Sequence, residues 1–501
     1  METKQGKKES PRTGGWISAL KFLPLVVFAA LVIVFKLELL LAAPIATFVA
    51  ILVYIFIYRG NFDGAFEQGL KSARSIIGVF FILMFAYAVA ESFIATGVGA
   101  SLINLALKLG VTGRTVAVIS LVVTSLLSVA TGTSWGTFAA CAPIFLWLSE
   151  LVGGDPMLTV CAIAGGSCFG DNIGMISDVT VLSCGMQDVR IIDRVKHQSV
   201  WSCGCLVLAA VVIFLCSLHL PNVQGDVAEA ISKIPGEAYA ALAEERPVAL
   251  ELLSQIEHGV PYYMIIPMIL VIVLSFMGLN TLICLGSGMI SAMLLGLIAG
   301  TTTFPEWLNN QVLAGFQDAG GSVVIMMLWV SVFGGIMNSM NTFDPLAKFF
   351  VKISKNVQQL MGWCGILCLV GNAALADEAA QVVTISPIIR DVVEKNVECE
   401  DEKAAYALRV RLATLTSSMG IYGSELIPWH CFPVFFAKIA SSVYPLHEFT
   451  AMDIISKNYM SFIVIGSIII LSFTGLDRFV PMFGLPDKKR VRLKKETASP
   501  V

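Results

Sequence analysis

Charge is what this chain has least of. Only 14% of its 501 residues are Asp, Glu, Lys or Arg, against about 25% in a soluble globular domain. With 56% hydrophobic residues and a mean hydropathy of +0.80, the chain is too apolar to be soluble. Histidine is scarce as well, five in all, and none stands in an HExxH pair. The sequence also lacks a Gly-x-Ser-x-Gly elbow, a phosphate-binding Gly-rich loop and the paired Asp motif of an intramembrane protease. Those absences leave no enzyme reading and no self-contained ATP-driven pump. Twelve cysteines sit mostly inside apolar runs without metal-ligand spacing, which fits small buried hydrophobes rather than a zinc site. One basic run, Lys488 to Lys495, follows the last apolar segment, so neither nucleic acid nor a cofactor is expected.

What is abundant is apolar sequence in windows near the ~20 residues that cross a bilayer. These fall at 16–35, 37–58, 75–97, 115–131, 134–149, 157–186 and 199–218, then at 262–279, 281–301, 322–341, 359–376, 379–391, 404–444 and 458–475. The expected fold is an all-α polytopic membrane protein with about 12–14 transmembrane segments. Segments 134–149 and 379–391 are short enough to be half-membrane, re-entrant hairpins, and 157–186 and 404–444 are long and interrupted by Gly and Pro. The expected organisation is an N-terminal tail over 1–15, a membrane repeat over 16–218, a linker over 219–261, a second repeat over 262–476 and a basic tail over 477–501. A shift of 247 sets Ser75 on Ser322, Glu91 on Asn338 and Ser177-Asp178 on Ser424-Glu425, and a shift of 244 sets Pro143 on Pro387. Weak internal symmetry of this kind marks transporter repeats.

Lys and Arg concentrate on the cytoplasmic side of a membrane. Lys4, Lys7, Lys8 and Arg12, then Arg59, Lys71 and Arg74, then Arg190, Arg194 and Lys196 place the N-terminus and those loops inside. Lys348, Lys352, Lys355 and the C-terminal tail belong inside too, whereas 219–261 holds seven acids against Lys233 and Arg246 and belongs outside. With seven segments per half, the repeats would be inverted. The chain is therefore expected in the cell membrane with both termini cytoplasmic, as a homodimer in the lipid bilayer, moving a small cation or a small organic solute.

Polar residues inside the apolar runs carry the chemistry. Thr131-Gly-Thr133-Ser134-Trp-Gly-Thr137 has two glycines in seven residues, each lowering helix propensity by about 1 kcal/mol. Hydroxyls and freed carbonyls suit a hard cation, although small residues also line close helix contacts. Gly170-Asp171-Asn172 and Ser177-Asp178 follow, with the two acids seven residues apart. A sodium site is expected at Asp171, Asp178 and Ser134, since ionisable groups at membrane depth are costly and usually functional. The second half offers Asn372, Asp377, Glu378, Glu425 and His430, and mid-segment Glu91 has Asn338 as its repeat partner. This second set is expected to meet substrate or proton. A carboxylate at Glu425 must be neutralised by a proton, a sodium ion or a cationic group. His430 titrates in the physiological range and can relay protons or serve packing.

The run TGTSWGT at 131–137 resembles the signature of the sodium/proton antiporter C family of the ion transporter superfamily. Phe169-Gly-Asp-Asn and Ile176-Ser-Asp-Val-Thr180 resemble that family's FGDHxSPISDTT, with Asn172 for His, Gly174-Met175 for Ser-Pro and Val179 for Thr. Gly371-Asn372 and Leu426-Ile-Pro-Trp429 are similar to its second-half pattern, in which His430 replaces Asn and Glu425 replaces a small residue. The resemblance implies an inverted-repeat exchanger coupled to sodium and protons. It implies either sodium/proton antiport or sodium-coupled carriage of a small organic solute such as an amino acid or organic acid.

Overall fold

In lipid a chain must satisfy its backbone polar groups internally, so uncharged apolar runs fold as helices. The computed structural model describes residues 15–494, except 76, 133, 175–176, 223–246, 278, 321–323, 341 and 488. The first half contains α1 (Gly15–Leu20), α2 (Leu23–Ile33), α3 (Leu39–Tyr58), α4 (Phe62–Ser75), α5 (Ile77–Thr96), α6 (Val98–Lys108), α7 (Val116–Thr131), α8 (Ser134–Leu151), α9 (Pro156–Ile173), α10 (Asp178–Gln187) and α11 (Ile191–Cys216). From the connecting stretch only α12 (Pro247–His258) lies among the described helices. The second half contains α13 (Ile266–Phe276), α14 (Thr281–Ala299), a helical run over 304–318, α15 (Val324–Ser339), α16 (Asp344–Ile353), α17 (Val357–Leu375), α18 (Glu378–Asn396), α19 (Glu402–Ser424), α20 (Cys431–Val443), α21 (Ala451–Ser456) and α22 (Tyr459–Thr474).

Element order recurs between the halves. The pairs α5–α6 and α15–α16 are each bent, by 67° and 63°. Helix α7 ends on Gly132 and α17 on Ala376, both left-handed, at φ 67° and 53°. Helices α8 and α18 then follow, each with an internal proline, Pro143 and Pro387. By length and composition, five described helices can cross a membrane, or seven when each bent pair counts as one span. That is fewer than the expected 12–14, because several apolar runs form helices of 10–17 residues, shorter than a full span, as over Val116–Val129, Cys431–Val443 and Tyr459–Thr474.

The short segments are arms of hairpins. A Cβ at Gly113, before α7, would sit 2.7 Å from the carbonyl oxygen of Gly153, after α8. The α7–α8 unit thus enters and leaves at one end of the molecule. Asp155 lies at that end, bound to Lys457 at 2.5 Å. Helices α17 and α18 enter and leave at the other end. There β1 (Val397–Cys399), which follows α18, pairs antiparallel with β2 (Val491–Leu493), and Gly475 adjoins Gln358 at the start of α17.

The stretch expected as a basic cytoplasmic tail is packed against the helices, and its β2 pairs with β1. Buried Arg411 of α19 donates to Asp477 and, at 2.7 Å, to the Phe483 carbonyl. The Phe483 ring lies 3.8 Å from that guanidinium and 4.8 Å from Trp201 of α11. Asp477→Ala strips the carboxylate from a fully buried arginine, a change that costs about 3–5 kcal/mol. A marked fall in melting temperature in detergent is expected, and an unchanged melting temperature would show that Phe483 alone holds the segment.

Candidate functional site

The helix breaks of the first half meet on one carboxylate. Asp171, in the last turn of α9, is 4% exposed. Its Oδ2 accepts from the Ser134 hydroxyl at 2.8 Å and from the Ser134 amide at 3.2 Å, at the start of α8. Its Oδ1 accepts from Ser177 Oγ at 2.6 Å, and Ser177 is the N-cap of α10. A Cβ at Gly174 would stand 3.7 Å from both Gly132 Cα and Val129 O, so the C-terminal ends of α7 and α9 adjoin. Helix C-termini present unpaired carbonyls, which together with a carboxylate and two hydroxyls make a donor set suited to sodium. Thr137 is buried one turn into α8. Thr131 closes α7 and Asp178 opens α10. The side chains of Thr131 and Asp178, and all of Thr133, lie outside the described residues.

The second half ties its breaks together from a different helix, and with an amide: Asn372 lies in α17, which matches α7 and not the α9 that carries Asp171. Asn372 of α17 is fully buried. Its Nδ2 donates to Gly420 O at 2.8 Å and Ser424 Oγ at 3.1 Å, and its Oδ1 lies 3.2 Å from His430 Nε2. His430 is the N-cap of α20, and its Nδ1 accepts from the Phe432 amide at 3.3 Å. That bond requires an unprotonated Nδ1, so the ring is neutral with its proton on Nε2. His430 is therefore seated as a cap. Asp377 caps α18 through Ala380 N at 2.6 Å, and Glu378 is buried beside it.

Glu425 occupies different ground from its expected place. It is the C-cap of α19, whereas Asp178 begins α10 after its break. The two acids are thus on opposite sides of their breaks and are not structural counterparts; Gly174, the C-cap of α9, corresponds to Glu425. Glu425 is fully buried, its Oε2 accepts from Ser461 of α22, and its Oε1 makes no hydrogen bond of regular geometry among the described residues. Glu91 is buried in α5, but Asn338 is exposed near the end of α15 and does not join the centre.

The halves are joined by a residue the sequence placed in a cytoplasmic loop. Arg194 is fully buried. Its Nη1 donates to Thr180 Oγ1 at 2.7 Å, and its Nη2 donates to Asn172 Oδ1 at 2.9 Å and Ser417 Oγ at 2.7 Å. Ser418 also donates to Asn172 Oδ1, at 3.2 Å. The usable signal was periodicity: Arg194, Gln198, Trp201, Cys205 and Ala209 recur every three or four residues and form the buried stripe of α11. Gln381, fully buried with neither amide atom hydrogen-bonded among the described residues, and Tyr422, fully buried against Asn172, were also missed as site residues.

The model of the Na+/H+ antiporter family matches residues 13–183 and again 166–476. The chain belongs to that family. It is a multi-pass secondary antiporter and not an enzyme. Its relatives include the malate-2H(+)/Na(+)-lactate antiporter of Bacillus subtilis, 24% identical over 90% of this chain and 93% of that one. The arginine/ornithine antiporter ArcD of Halobacterium salinarum is 22% identical over 83% and 82%. The Na(+)/H(+) antiporter NhaC of Alkalihalophilus pseudofirmus is 21% identical over 77% and 80%. The solved antimetabolite efflux pump MtrF of Neisseria gonorrhoeae covers 94% of this chain and 99% of its own at 12% identity, with a TM-score of 0.40, a likeness too slight to bear on the fold.

Proposed function

We propose that this antiporter exchanges sodium for protons across the cell membrane by alternating access. The observation that carries this reading is Asp171, whose two oxygens tie the start of α8 to the N-cap of α10 at the junction of both first-half breaks. Sodium sits there between the carboxylate, the hydroxyls of Ser134 and Ser177 and the freed carbonyls of α7 and α9, and Asp178, the first residue of α10, is kept as an expected further ligand. Hairpins entering from opposite ends support two halves related by inversion, over 16–218 and 262–476, joined by an external linker over 219–261. The Lys and Arg distribution supports cytoplasmic termini, with Arg190 and Lys196 retained as markers and Arg194 removed.

Glu425 is the proton carrier. A fully buried carboxylate must be protonated or hold a cation. Ser461, Asn458 and Cys168 adjoin it. Glu425→Gln should flatten the pH dependence of sodium-driven proton movement. A wild-type pH profile with a raised KM for an amine-bearing solute would assign Glu425 to gripping that amine instead.

A second reading, sodium-coupled carriage of an organic solute, is favoured by Arg194, a fixed positive charge beside the sodium site that cation exchange alone does not require. Proteoliposomes with an acidic interior test the first reading. External sodium, and not external potassium, should raise the internal pH; a response identical for both cations would sink sodium coupling.

A further inference from the structure

We propose that the crevice between α6, α7, α8 and α13 binds one acyl chain of an anionic phospholipid, whose headgroup is held at Lys108. The crevice measures about 740 Å³. Leu102 and Leu105 of α6, Ile119 and Leu126 of α7, Phe145 of α8 and Met268 of α13 form its walls. Among the described lining residues only Thr115 has a polar side chain, and its hydroxyl is taken up by Thr112, whose amide donates to it at 3.0 Å. A water needs about two to four polar partners to stay in a cavity, and this one does not supply them. Left unfilled, a crevice of that size forfeits packing along all four helices. Leu109, Val123 and Leu126 of its lining are exposed at the molecular surface, so it opens sideways to the bilayer. The abundant apolar filler there is lipid hydrocarbon.

Length and charge select the occupant. The lining residues contributed by α7 run from its N-cap Thr115 to Leu127, about 18 Å at a rise of 1.5 Å per residue. One leaflet's share of a ~30 Å hydrocarbon core is about 15 Å. A single chain entering from one leaflet therefore fills the crevice from mouth to end. The mouth lies where the α7–α8 hairpin enters, and Leu109, Gly110 and Val111 line it. Lys108 stands beside them, exposed. Its Nζ is 4.6 Å from the centroid of the Tyr262 ring. Tyr262 is exposed too, and it opens the 3₁₀ turn that ends on the lining residue Ile265. Tyrosine is enriched at headgroup level in membranes, and a lysine there attracts anionic lipid. The other end, at Leu126, Leu127 and Phe145, has no charged side chain among its lining residues and receives the tip of the chain. One wall is thus the hairpin that carries Ser134, and the opposite wall is α6 with α13.

The test is native mass spectrometry of the transporter released from bilayers of equal parts phosphatidylglycerol and phosphatidylcholine. The wild type should retain phosphatidylglycerol in preference to phosphatidylcholine. Lys108→Gln should cut that preference about fivefold, the effect of one lysine at an anionic surface. Val123→Trp puts an indole into the crevice from its lipid-facing side and should remove the retained lipid whatever its headgroup. Val207→Trp makes the same change at an exposed position on α11, away from the crevice, and should leave retention as in the wild type. A photoreactive group at the tip of one phosphatidylglycerol chain then reports where the chain ends. Its label should fall on the peptides that hold Leu126 and Leu127 or Phe145. That labelling uses the wild type, so it decides the matter even where a variant fails to fold. Equal retention of the two lipids overturns the proposal, as does retention by Val123→Trp equal to that of Val207→Trp. Label falling on α11 as readily as on α7 and α8 does the same. Cross-links joining two copies of the chain through this crevice would assign it to a subunit seam and overturn it as well.

Discussion

Asp171→Asn should raise the sodium concentration needed for half-maximal exchange by about 100-fold, the upper range for losing an oriented group at a metal site. The substitution is nearly isosteric. The amide oxygen can still accept from one of Ser134 and Ser177, which now hold the two carboxylate oxygens at 2.8 and 2.6 Å. Local geometry is thereby largely kept, while the negative charge that offsets sodium's dehydration is removed. The melting temperature in detergent separates the two roles. A folded variant with weak sodium dependence assigns Asp171 to the ion. A folded variant with wild-type sodium dependence makes Asp171 a cap for α8 and α10 and nothing more.

Gly170→Ala, one residue earlier, should fail in a different way. A Cβ there would lie 2.0 Å from the Val129 amide nitrogen and 2.1 Å from the Ser128 carbonyl carbon. Both are backbone atoms of α7, so no rotamer change can make room. Ser128 also donates to the Ser167 carbonyl across the same crossing, which fixes the two helices at close approach, as small residues do in membranes. The cost is about 3 kcal/mol or more, at the top of the range for overpacking. Loss of a monodisperse peak on size-exclusion chromatography is the expected readout. Gly185→Ala is the control, because a Cβ there meets nothing within 4 Å and alanine favours the helix by about 1 kcal/mol. Equal yields from the two variants would show that α7 and α9 can separate.

Some of this was legible from the chain. The interruptions at Gly132 and Gly174 stood out because glycines and hydroxyls interrupt otherwise uninterrupted apolar runs. The hairpin arms showed as short segments with Pro143 and Pro387 in matching places. Amphipathic helices such as α4 and α16 did not show, because they carry no long apolar run. Arg194 was misplaced because a basic residue near a loop normally marks the cytoplasmic surface. Only its packing against Asn172 and Ser417, 22 and 223 residues away in sequence, reveals a buried role. Likewise, a constant shift of 247 set Glu425 on Asp178, but the second break is longer than the first, and the register slips between Ser177 and His430, the two N-caps. Docking of the C-terminal segment depended on Arg411, whose partner Asp477 lies 66 residues on.

The most direct test is accumulation of radioactive sodium in proteoliposomes with an acidic interior and an alkaline exterior. Exchange of sodium for protons predicts that internal sodium rises above the external concentration while the proton gradient lasts, and that it leaks back when the gradient is collapsed. Internal sodium that never exceeds the external level, with or without the gradient, would contradict it.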